Sequence, residues 1–184
     1  MAIDRQIYRN GDTTVPSVLA AKLPLYLFGD LAYGGLKEEM YAKNVLYFYN
    51  QPNSYYIPVH EFSDNAAIYV VDGFTVTYNA MQIAYYMGFS KVYLLGVDFN
   101  YGKIVDSNGK ITETSSKVSY FDKRYDSCSK NSGFMDGMLQ AYQTAANFCK
   151  DHAFEIINLT RGGKLDVFVR DDFDKIISQL SSNR

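Results

Sequence analysis

Hydroxyl and amide side chains gather at the start of one apolar segment, and an acid with a tyrosine at the end of the next. Gly73, Thr75, Thr77 and Asn79 open the run GFTVTYNAMQIAYYMG, while Asp98, Asn100 and Tyr101 close the run KVYLLGVDFNYG. A strand over Ala67–Val71, then Asp72-Gly73, then threonines at a helix start outline an anion site. The first N–H groups of a helix lack intrahelical partners, and the helix dipole adds about half a positive charge there. Thr75, Thr77 or Asn79 would add donors to a phosphate, and Gly73 would let the backbone approach it. The same threonines equally fit plain N-capping, worth about 1 kcal/mol. At the strand tip, Asp98 suits ribose hydroxyls, a metal ion, the orienting of a tyrosine, or an Asx-turn in the following loop. Tyrosine hydroxyls donate without carrying charge, so Tyr101, Tyr120 and Tyr125 suit a departing phosphate without a metal. Each would equally serve as a lid residue packed on the sheet. Further along, Arg161-Gly162-Gly163-Lys164 offers a guanidinium fork beside two glycines, for a sugar carboxylate or phosphate. Its structural alternative is a flexible turn with solvated charges. Neither a G-x-G-x-x-G fingerprint nor a Walker lysine occurs.

Short apolar-aromatic runs bounded by Gly, Pro and Asn predict the strands that must position these groups. They are LPLYLFG (Leu23–Gly29), NVLYFYN (Asn44–Asn50), AIYVVDG (Ala67–Gly73), KVYLLGVDF (Lys91–Phe99) and FEIINLT (Phe154–Thr160). Between them, Val76, Ala80, Ile83, Ala84 and Met87 recur at the helical period, as do Met138, Ala141, Tyr142, Ala145 and Cys149. Strands alternating with helices of this size predict βαβ units with right-handed crossovers. The expected class is α/β: a Rossmann-like, mostly parallel sheet with helices on both faces, in one domain spanning residues 1–184. Asn100–Asn131 interrupts the alternation with no clear periodicity, which marks a lid, a binding loop or a disordered segment. It leaves the carboxyl end of the strongest strand, where open α/β sheets bind ligands.

Composition narrows the function classes. Eighteen Lys and Arg against twenty Asp and Glu leave a formal charge of −2, which argues against a nucleic-acid partner. Seventeen tyrosines with no tryptophan suit partly buried surfaces and polar ligands. Cys128 and Cys149 have neither metal-ligand nor disulfide-framework spacing, and no metal site is expected. Met1 is not followed by a charged and then apolar leader, and no run approaches a membrane span. A cytoplasmic location is expected, with peripheral membrane contact through DDFDKIISQLSSNR less favoured than packing of that segment as a terminal helix.

The segment TVTYNAMQIAYYMGFSKVYLLGVDFNY resembles the core of the bacterial sialyltransferases that build lipooligosaccharide ends. In those enzymes a Ser/Thr-Gly turn opens a helix and a Gly-Tyr/Phe-x-x-Ile/Val-Tyr-Leu-x-Gly-x-Asp-Phe strand follows. The chain is also similar to MptE-like (6-hydroxymethylpterin diphosphokinase-like) proteins of capsule and flagellin-glycosylation loci. Their Asn-Ala-Thr-x-Gly-Gly-x-Leu ending is matched by INLTRGGKLDVFVRDDFDKI, Ile157–Ile176. The resemblance covers roughly residues 65–176. It implies a Rossmann-like transferase acting on a nucleotide-activated donor, such as a CMP-linked nine-carbon sugar, and a glycan acceptor. A homo-oligomer is compatible with it.

By this resemblance Thr75 and Thr77 take the phosphate-side hydroxyl position. Tyr101 lies one residue beyond the family's tyrosine, where this chain has Asn100. Cys128, in Cys128-Ser129-Lys130-Asn131, takes the place of a histidine general base, with Lys130 a cation able to lower its pKa. Tyr120-Phe121 matches a His-Phe of the MptE-like lid. His60 and His152 lie outside that loop, and His152 fits a dipole role at a helix end. MAIDRQIYRNGDTTVPSVLAAK departs from the family's opening strand and Gly-x-Gly-Pro-Ser nucleotide loop, as expected either of the C-terminal part of a longer ancestral transferase or of a chain in which another segment replaces that loop. Three functions follow: glycosyl transfer without a cofactor, a non-catalytic binding module of the same fold, or Mg²⁺-dependent pyrophosphoryl transfer using acids such as Asp98.

Overall fold

The computed structural model describes residues 20, 22–29, 44–51, 61–99 and 135–182, and the backbone of 103–105 and 111–113. Two compact units divide the chain, Met1–Phe89 and Ser90–Arg184. Within the first, β1 (Tyr26–Gly29) pairs in parallel with β2 (Val45–Phe48), and β3 (Asn50–Gln51) pairs in parallel with β4 (Val70–Val71). Only Tyr49 separates β2 from β3. The Asn44 carbonyl accepts from Tyr26 N–H at 2.8 Å, while the Tyr49 and Gln51 carbonyls accept from Val70 at 2.8 Å and Asp72 at 3.0 Å. Alternate residues of a strand face opposite sides, so β1 and β4 flank one nearly continuous strand over residues 44–51.

Local polar chemistry shortens the strands. AIYVVDG yields only Val70–Val71, because Asn65 folds the residues before it into a turn. Its carbonyl accepts from Ile68 at 3.0 Å and Tyr69 at 3.3 Å, and its side chain accepts from Ala67 at 3.2 Å. The interior of this unit is aromatic: Tyr26 stacks along Phe28, and Phe62 meets Tyr78 edge-on with ring centres 5.6 Å apart. Phe48, Val70 and Ile83 form an apolar cluster with Leu27 and Ala66 against it.

α1 (Val76–Tyr86) follows β4 and corrects one expectation. Of the stripe expected to face inward, Ile83 is buried, but Val76, Ala80 and Met87 are exposed. The buried face is instead Tyr78, Asn79, Met81, Gln82 and Ile83. Gln82 turns inward because its amide is completely engaged. Oε1 accepts from Ser63 and Val71 N–H at 3.0 Å each, and Nε2 donates to Val71 O at 2.9 Å and Tyr78 O at 3.2 Å. A periodicity that counts only apolar residues cannot register such an anchor.

In the second unit, β5 (Lys91–Leu94) ends early, since Gly96 (φ 73°) and Phe99 (φ 53°) leave extended geometry. β6 (Lys103–Val105) and β7 (Ile111–Glu113) pair antiparallel inside Asn100–Asn131, the interval whose sequence shows no clear periodicity. α2 (Met135–Asp151) buries Met138, Ala141, Tyr142 and Ala145, the stripe read from the sequence, with Cys149 half-buried. β8 (Glu155–Asn158) pairs in parallel with β5 and with β9 (Val169–Arg170), giving the order β5-β8-β9. Phe99, Tyr142 and Phe168 make edge-to-face contacts at 6.1 and 5.8 Å, and α3 (Phe173–Ser182) buries Ile176. Parallel strands with intervening helices make the chain broadly α/β. The described strands form small sheets rather than a single sheet covered by helices on both faces. No helix among the described residues is long and apolar enough to cross a membrane.

Candidate functional site

The carboxyl edge of the first unit gathers Asn50, Asp72, Gly73, Thr75, Thr77 and Asn79. Asp72 Oδ1 accepts from Phe74 N–H at 2.9 Å, an Asx-turn that reverses the chain before the helix. The left-handed step of that turn falls on Phe74 (φ 59°), not on Gly73. A bulky residue there costs about 1–2 kcal/mol and persists only where its surroundings over-determine it. Thr75 is the N-cap, extended at φ −152° and ψ 134°, and its hydroxyl accepts from Thr77 N–H at 3.3 Å. Its carbonyl accepts from Tyr78 N–H at 3.1 Å. Donors expected to serve an anion are thus partly satisfied within the chain, and the Asp72 carboxylate adds negative charge beside them.

Asn79 is buried, and its amide nitrogen donates to Asn50 Oδ1 at 2.8 Å and to Val71 O at 3.5 Å. With the nitrogen spent, Asn79 retains an acceptor rather than the donor expected of it. Nearby, burial pushes the Tyr78 hydroxyl well above the ordinary tyrosine range, with the Glu61 charge adding to it, and that hydroxyl donates to Glu61 O. Tyr69 donates to the Glu61 carboxylate, and this bond raises its pKa as well.

The carboxyl edge of the second unit is a built turn. Gly163 (φ 78°) packs so closely on the strand tip that an added Cβ would lie 2.8 Å from Asp98 Cα and 2.9 Å from Asp98 O. Lys164 N–H donates to the same carbonyl at 2.6 Å. Arg170 donates to the carbonyls of Thr160 at 2.6 Å, Leu165 at 3.3 Å and Gly162. Buried Asn158 donates to Leu165 O at 3.1 Å and accepts from Thr160 N–H at 3.0 Å, and the Thr160 hydroxyl accepts from Val97 N–H at 3.1 Å. Asn158 and Arg170 thus fix the backbone of residues 160–165 from β8 and β9, and the bonds with Asp98 O and Val97 N–H hold it against the segment that follows β5. Arg161 points elsewhere: its guanidinium contacts both oxygens of Asp174 at 2.8 and 2.7 Å and lies 5.5 Å over the Phe173 ring.

Asp98 and Arg161 therefore belong to the second edge, and Gly73, Thr75, Thr77 and Asn79 to the first. Asn100, Tyr101, Tyr120, Tyr125, Cys128 and Lys130 lie outside the described residues. His152 Nδ1 lies 2.8 Å from Phe148 O, with the two rings stacked at 3.7 Å, as the helix-end reading anticipates. Among the described residues, no three His, Cys, Asp or Glu side chains gather as metal ligands. Sequence reasoning passed over Asn50, Gln82, Asn158 and Arg170. Asn50 closes an apolar run, and Asn158 and Arg170 lie within the run INLTRGGKLDVFVRDDFDKI, whereas Gln82 carried no local signal. No known family model, curated protein or solved structure matches the chain.

Proposed function

We propose that the chain is glycosyltransferase-like and takes a nucleotide-activated, CMP-sialic-acid-like sugar in surface polysaccharide or glycan biosynthesis. The observation that carries this reading is the polar carboxyl edge of the β3–β4–α1 unit, where Asn79 donates to Asn50 and the Asp72 carboxylate holds the turn before the capped helix start. Ligands of open α/β sheets bind outside such edges. The reading asks for a Rossmann-like arrangement of the parallel strands, with Asn100–Asn131 as its lid. The reaction is a displacement at the anomeric carbon. An acceptor hydroxyl oxygen forms the new bond, the sugar–phosphate bond breaks, and the nucleotide leaves as a monophosphate. The hydroxyl proton passes to a base, a role the resemblance assigns to Cys128, while Tyr101, Tyr120 and Tyr125 donate to the leaving phosphate.

A non-catalytic binding module is the second reading, favoured by Asp72 at the helix mouth and by the commitment of Arg161 to Asp174. Saturation-transfer NMR of the full chain with CMP, CDP and UDP, with and without EDTA, tests both. Cytidine nucleotides should receive saturation, compete with one another, and be indifferent to EDTA. Loss of the signal with EDTA would favour pyrophosphoryl transfer. Silence from all three nucleotides would sink the transferase reading.

A further inference from the structure

We draw no further inference here: the strongest candidate, the outer face of α1 where Val76, Ala80, Tyr86 and Met87 stand exposed on a helix without a charged residue, is an apolar surface patch, and nothing in the structure shows what covers it.

Discussion

Two buried side chains of α1 tie the first unit together through polar groups. Gln82 answers four main-chain groups from the middle of a helix. Replacing it with leucine preserves much of the volume but leaves the Ser63 and Val71 N–H groups without their acceptor. Gln82→Leu should therefore cost roughly 2–4 kcal/mol in urea unfolding, more than ordinary large-to-large swaps. The second is Tyr78, whose hydroxyl is held neutral by burial and donates to Glu61 O. Its folded pKa lies above its unfolded value, near 10. The stabilisation is thus fully present below about pH 10 and is lost as pH rises beyond it, because only the unfolded chain ionises there. Unfolding midpoints measured between pH 8 and 11 by design should fall at the alkaline end. Tyr78→Phe should flatten that fall while costing about 1 kcal/mol at neutral pH. A variant as alkali-sensitive as the wild type would show that other tyrosines control the transition.

At the scale of elements, caps and turns bear the predictions. Thr75→Ala removes the hydroxyl that receives Thr77 N–H and should cost about 1 kcal/mol, with Thr75→Ser close to wild type. The adjacent glycines of the second unit should differ sharply. Gly162 has φ 67° and open space around a would-be Cβ, so Gly162→Ala should cost about 1 kcal/mol from backbone strain alone. Gly163→Ala adds a contact with backbone at 2.8 Å and should cost about 3 kcal/mol or more. Similar thermal unfolding of the two variants would mean that the turn does not press on Asp98 as described. Much at this scale was legible. The strand runs at Tyr26–Gly29, Val45–Phe48 and Glu155–Asn158, the stripe on α2 and the Thr75 cap all follow from neighbouring residues. The stripe on α1 misled because Gln82 and Asn79 count as polar in any periodicity, whatever they bond to in the interior.

Across the whole molecule, the two compact units carry separate hydrogen-bond networks: one centred on Gln82, the other on Asn158 and Arg170. Local openings should follow that division. In hydrogen exchange, Gln82→Leu should speed the amides of α1 and β4 and leave those of α2 and β8 at their wild-type rates. Gly163→Ala should do the reverse. Acceleration spread evenly along the chain in either variant would mean that the units unfold as one.

What the sequence determined by itself was whatever a few adjacent residues decide: the alternation of strands and helices, a threonine cap at the start of α1, and a glycine turn in the run RGGK. Near-neutral charge likewise bounded the partners. Tertiary structure decided the pairings between distant positions. Val97 meets Thr160, 63 residues away, and only then does Gly163 have to be a glycine. Arg161 and Lys164 look interchangeable as cations in the run RGGK. They part company because Asp174, on the first turn of α3, reaches the guanidinium and leaves the ammonium unpaired. Local propensity is written over three or four residues, whereas the partner of a charge depends on where the chain returns.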